Sequence, residues 1–160
     1  MKLLTLAVAA VLAVVAGASA LQAASQSSPA QGPLYGHVKS ITSSNGRFVM
    51  RFDPAWWLTG LAAERACGCK PVANDYYVVD ESHRLLTFAV RRDARATVLV
   101  SGPRHVSPVS ISIAELAQIL AGKNPKHRPL LGRTAGYGFW IRIGTQYPNP
   151  VVSVEQQYQP

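Results

Sequence analysis

The chain has 160 residues, 48% of them apolar, and a formal net charge of +8. That apolar share excludes a disordered polyelectrolyte, and two cysteines are too few for a disulfide-dense miniprotein. No apolar run beyond residue 20 reaches the roughly 18 residues that a membrane helix needs.

Residues 1–20 have the pattern of an export signal. Met1-Lys2 is a short positive start, and Leu3 to Val15 is nearly continuous apolar sequence. Ala18 and Ala20 give the small-x-small pattern that a signal peptidase reads, so cleavage is expected after Ala20. The expected destination is the periplasm or the extracellular space, with no transmembrane segment left after cleavage. Loss of Lys2 would leave 15 basic against 8 acidic residues. Residues 21–33, rich in Ala, Gln, Ser and Pro, are expected to form a flexible leader. Residues 34–160 fit one globular domain, because a domain takes about 100–150 residues.

Within that domain, residues 34–42 and 47–52 read as a hairpin. Phe48, Met50 and Phe52 alternate with Arg47, Val49 and Arg51, giving one apolar and one mostly charged face. Asn45-Gly46 is the turn, since both residues tolerate positive φ. Asp53-Pro54 predicts a strand stop followed by a helical turn over Ala55–Leu58. Thr59 is placed to cap a short helix from Leu61 to Cys67, which Gly68 ends. Residues 76–79 and 84–90 are β-branched and aromatic, and they read as a second hairpin across the polar Asp80–His83. A short strand is expected over Ala96–Val100. Ser112-Ile113-Ala114-Glu115 has the capping-box spacing and opens a helix over 113–121, stopped by Gly122. Ile113, Leu116, Ile119 and Leu120 fall on one helical face. Lys123 to Tyr137 is basic loop, and strands are expected over 139–143 and 151–158. Without βα alternation the fold class is α+β. The expected form is a curled antiparallel sheet or small open β-barrel of about six strands, with two or three short helices.

Several segments carry a family likeness. They include Tyr35-Gly36-His37-Val38-Lys39-Ser40, the run Arg51 to Gly60 with Asp53-Pro54-Ala55-Trp56-Trp57, and Asn74-Asp75-Tyr76-Tyr77 leading into Asp80–Thr87. Gly122-Lys123-Asn124-Pro125-Lys126-His127-Arg128, Phe139-Trp140-Ile141 and Gln156-Gln157-Tyr158 continue it. On these residues, the domain from about 34 to 160 resembles a family of small secreted bacterial proteins of unknown function. The resemblance implies a secreted single domain and carries over no catalytic residue. Cys67-Gly68-Cys69 falls outside it.

Chemistry-bearing residues are few. Cys67 and Cys69 are candidates for a local disulfide, an intermolecular one, a redox-active pair or half of a soft-metal site. Zinc would want two further ligands, and no C-x-x-C or H-x-x-x-H accompanies them. His37, His83, His105 and His127 are scattered; Asp80, Glu81 and His83 share one turn that reads as solvated. No metal site and no cofactor are therefore expected. No nucleophile elbow, zincin or phosphate-loop motif is present, so the chain leans away from enzymatic function and its catalytic residues are unknown. Trp56, Trp57 and Trp140 read mainly as core, with a sugar-binding platform as the alternative.

The basic residues make the strongest set. Lys123, Lys126, Arg128 and Arg133 share one loop, while Arg91, Arg92, Arg95 and Arg104 lie in or beside another. Such surfaces attract polyanions. The leading expectation is a secreted, non-enzymatic domain that binds an anionic cell-envelope partner through Lys123, Lys126, Arg128 and Arg133. No standard RNA-binding aromatic motif appears, so specific nucleic-acid recognition is not expected. The alternatives are an enzyme with a cleft holding Asp53, Asp75 or His83, and a structural partner in an envelope assembly docking near Trp56. The oligomeric state is left open.

Overall fold

A computed structural model describes residues 32–81, 84–131 and 137–159. The export signal, most of the leader, His83 and Arg133 lie outside the described residues. Strand β1 (Leu34–Ser44) turns at Asn45-Gly46 into β2 (Arg47–Thr59), with φ of 51° and 70° at the two turn residues. As the alternation requires, Phe48, Met50 and Phe52 are buried and Arg47 and Arg51 are exposed.

Strand β2 does not stop at Asp53-Pro54. It runs on through Thr59, so the expected helical turn over 55–58 is absent. Pro54 stands opposite Gly36 in β1, and Trp56 to Thr59 pair with β3 (Tyr76–Val79). Aromatic and β-branched residues prefer an extended backbone, and pairing with β1 up to Ala55 and with β3 from Trp56 onward outweighs the local Asp-Pro signal. Between these strands lie α1 (Gly60–Cys67), ended by Gly68 in the left-handed region, and a 3₁₀ turn, Ala73–Asp75.

The expected hairpin between 76–79 and 84–90 is also absent. Strand β4 (Leu86–Ser101) instead pairs with β2 over Phe48–Phe52, below the stretch that β3 occupies. Thirteen residues make β2 long enough to host both partners. The strand expected at 96–100 is the far half of β4, continuous with the near half across a bulge around residues 91–94 that turns Ala94 into the core. Strand β5 (Val106–Ile111), which the sequence reading does not include, pairs with β4 at the sheet edge, where Pro108 is tolerated. Helix α2 (Ile113–Leu120) is capped as its sequence requires: Ser112 Oγ accepts from the Glu115 N–H at 3.1 Å.

Strands β6 (Gly138–Ile143) and β7 (Val151–Gln156) complete the domain. The sheet runs β3-β2-β1-β6-β7-β4-β5, and β4 pairs back onto β2. Five strands therefore close a barrel, β1-β2-β4-β7-β6, with β3 and β5 outside it. The result is a small α+β domain, with a closed rather than open barrel and seven rather than six described strands. One pairing, β4 with β7, is parallel, so the sheet is not wholly antiparallel. Phe52, Phe139, Met50 and Ile141 fill the barrel, and Ile113, Leu116 and Ile119 of α2 join that core. Among the described residues no helix is long and apolar enough to cross a membrane.

Candidate functional site

The basic loop after α2 is tied down at both ends. Ser101 and Leu131 donate backbone N–H groups to Pro129 and Leu99, which anchors the loop on β4. Asn124 accepts from the Arg128 N–H and donates to the Arg128 carbonyl. That geometry aims Arg128 at Glu115, a nearly buried carboxylate on α2: Arg128 Nε donates to Oε1 at 2.7 Å, and Lys126 Nζ lies 2.8 Å from Oε2. These bonds hold the Glu115 carboxyl below the usual carboxylate range, with the Arg128 bond the largest cause. Two of the cations expected to meet a polyanion thus also hold a buried acid. Lys123 is exposed.

A second cationic surface lies on the outer wall of β4, β6 and β7. The β4 bulge sits between two loops. Arg92 donates to the Gly46 carbonyl of the β1–β2 turn, and Arg91 lines a groove with Gly144, Gln146 and Tyr147 of the β6–β7 loop. Arg91 is itself held by Asp93 through two bonds of 2.5 and 2.8 Å. The groove continues past Arg95, Arg142, Ser153 and Glu155. Ser153 stands beside Arg142 on one side and Arg95 on the other in the strand register. Its hydroxyl is buried without a hydrogen-bond partner. Among the described residues, neither Arg95 nor Arg142 makes an ion pair.

Beyond Arg142 the same surface becomes aromatic. Trp140 and Pro33 line both the end of the cationic groove and an open cleft of about 450 Å³. Tyr35, Trp56 and Trp57 form its walls. Trp57 stacks on Tyr76 at 3.9 Å between ring centroids, and Trp140 Nε1 donates to Gln157. Trp56 is 72% exposed, and Trp57 and Trp140 are half-buried, so none of the three is core. Burial pushes the Tyr35 hydroxyl up to about 12, and Gln159 donates to it at 2.6 Å, partly offsetting the shift.

Beside that cleft, the hairpin register brings His37 opposite Asp53. Asp80, at the end of β3, puts Oδ2 3.6 Å from His37 Nδ1. One ligand atom from each of the three lies within 4.8 Å of the others. Asp53 is 1% exposed; Lys39 Nζ meets its Oδ2 at 2.9 Å, while Oδ1 and His37 Nδ1 have no hydrogen-bond partner among the described residues. The sequence places Asp53 at an expected strand stop and in a candidate cleft, and His37 among scattered histidines, without joining the two. The signal that joins them is the hairpin itself: counting back from Ser44 opposite Arg47, with one bulge at Lys39, sets His37 against Asp53.

Of the other expected site residues, Cys67 and Cys69 are joined by a disulfide at the exposed end of α1, with Cα atoms 5.2 Å apart. Asp75 is exposed in the 3₁₀ turn and does not join the His37 cluster. Comparison with family models, with curated proteins and with solved structures finds no match for this chain.

Proposed function

We propose that this protein is an exported, non-enzymatic binding domain for an anionic polymer of the cell envelope. The polymer lies along the groove from Tyr147 past Arg95 and Arg142 towards Trp140. The observation that carries this reading is the pair Arg95 and Arg142: two exposed guanidinium groups, in no ion pair among the described residues, flank one strand position in a groove. An arginine fork matches phosphate or carboxylate geometry better than any other side chain. Lys123, Lys126 and Arg128 extend the positive field, although Lys126 and Arg128 are partly neutralised by Glu115.

The barrel connectivity supports the loop end of this groove. Numbered within the barrel alone, the strands run 1-2-3-5-4 and close onto 1, with α2 between the third and fourth. That is the Greek-key order of the oligonucleotide- and oligosaccharide-binding barrel, whose ligands meet strands 2–3 and the loops joining 1–2 and 4–5. Here those loops are Asn45-Gly46 and 144–150, and they flank the arginine-bearing bulge of β4. Connectivity alone does not fix function; the unpaired arginines supply the chemical reason.

Retention on isolated cell envelopes tests the reading. The protein is expected to sediment with envelopes at low salt and to be released as salt rises towards physiological levels. Retention that ignores salt would point to an apolar protein contact near Trp56. Absence of retention at any salt would reject an envelope partner.

A further inference from the structure

Asp53 is a carboxylate buried to 1% exposure in the wall of a barrel, and Lys39 satisfies only one of its two oxygens. A buried charged oxygen without a partner costs several kcal/mol in a medium that excludes water, so such atoms are nearly always bonded. His37 Nδ1 shares the condition. The two are cross-strand neighbours, and Asp80 closes the group from β3. Three elements thus bring one ligand atom each within 4.8 Å of the others, and two of the three residues carry a buried atom without a hydrogen-bond partner among the described residues.

We propose that His37, Asp53 and Asp80 bind a divalent transition-metal ion of the zinc class. Imidazole nitrogen selects zinc-class ions over magnesium and calcium, which prefer all-oxygen sites with more ligands. Two carboxylates neutralise the ion. The 3.6 Å between His37 Nδ1 and Asp80 Oδ2 is close to the roughly 3.3 Å edge of a tetrahedron with metal–ligand bonds of about 2.0 Å. Three protein ligands leave a further position open. Asp80 is the exposed member and marks the entry side. Lys39 acts against the ion, because its ammonium holds Asp53 Oδ2 and adds a positive charge beside the site; it is half-exposed and free to swing outwards. This inference is independent of the anion groove.

The test is titration of the untagged, disulfide-intact full chain with Zn²⁺ by calorimetry, paired with the visible absorption of bound Co²⁺. Binding of one ion per chain is expected. His37→Ala and Asp80→Asn remove ligands at partly buried and exposed positions and are expected to weaken affinity at least tenfold, since losing even an outer-shell partner costs about 10–100-fold. Both are expected to erase the Co²⁺ bands while melting like the parent chain. Lys39→Met is expected to tighten binding, an effect that a purely structural Lys39–Asp53 pair would not produce. Absence of Zn²⁺ binding at tens of micromolar would overturn the proposal. So would unchanged affinity in His37→Ala and Asp80→Asn, which would place the ion on other histidines, and so would weaker binding in Lys39→Met.

Discussion

Glu115 shows how a single residue ties the basic loop to the core. Its side chain is nearly buried on α2, and Arg128 and Lys126 approach it from a loop that would otherwise be held mainly by β4. Removing one partner leaves a buried charge poorly compensated, so Arg128→Met is expected to cost about 1–3 kcal/mol at neutral pH. The exposed Lys126 contributes less. Because the folded state lowers the Glu115 pKa, this stabilisation is complete above the carboxylate's ordinary range near pH ~4 and fades as pH falls through the lowered value. Urea unfolding of the parent chain and Arg128→Met should therefore converge as pH falls below the ordinary carboxylate range and through the lowered value. A stability gap that persists undiminished at pH ~3 would mean that Arg128 acts through packing and not through the carboxylate. None of this was legible from the loop's composition, since sequence shows the cations but not the buried acid thirteen positions away.

At the scale of elements, local signals succeeded where the chain is locally determined. The Asn45-Gly46 hairpin, the stop at Gly68 and the Ser112 cap all depend on contacts within a few residues, and all three occur where their residues specify. Ser112→Ala is expected to lower stability by about 1 kcal/mol, checked by chemical denaturation, because it removes the acceptor for an orphan helical N–H. A change within error would show that α2 is held by its apolar face alone. Two misreadings share one cause. Asp53-Pro54 carries a local breaker signal and the polar stretch after Val79 a local turn signal, but β2 runs on and β3 turns away from β4 because β2 and β3 pair with each other across α1. A strand's partner is a tertiary fact. For the same reason the side-by-side placement of Arg95, Ser153 and Arg142 follows from two pairings that no local spacing encodes. Gly36 is the local trace of such packing: a Cβ there would stand 2.2 Å from the Asp53 carbonyl oxygen, so only glycine fits where β1 and β2 meet.

For the whole molecule, closure of the barrel decides what is displayed. Pairing β4 back onto β2 commits one face of every barrel strand to the core and turns the other outwards. The outward wall carries arginines at one end and half-buried aromatics at the other, joined through Arg142 and Trp140. A net charge of +8 foretold a taste for anions but not where they would sit. The loop expected to carry binding is partly committed to Glu115, while Arg95 and Arg142 on the barrel wall make no ion pair among the described residues. The most direct measurement is the salt dependence of binding to long-chain polyphosphate, followed by fluorescence anisotropy for the parent chain and for Arg95→Ala/Arg142→Ala. Each lost phosphate contact lowers the slope of log affinity against log salt by about 0.7–0.9. The double variant is expected to bind more weakly at every salt concentration, with its slope reduced by about 1–2. A double variant with the parent's affinity and slope would contradict the groove, and polyphosphate that fails to bind at low salt would contradict anion recognition altogether.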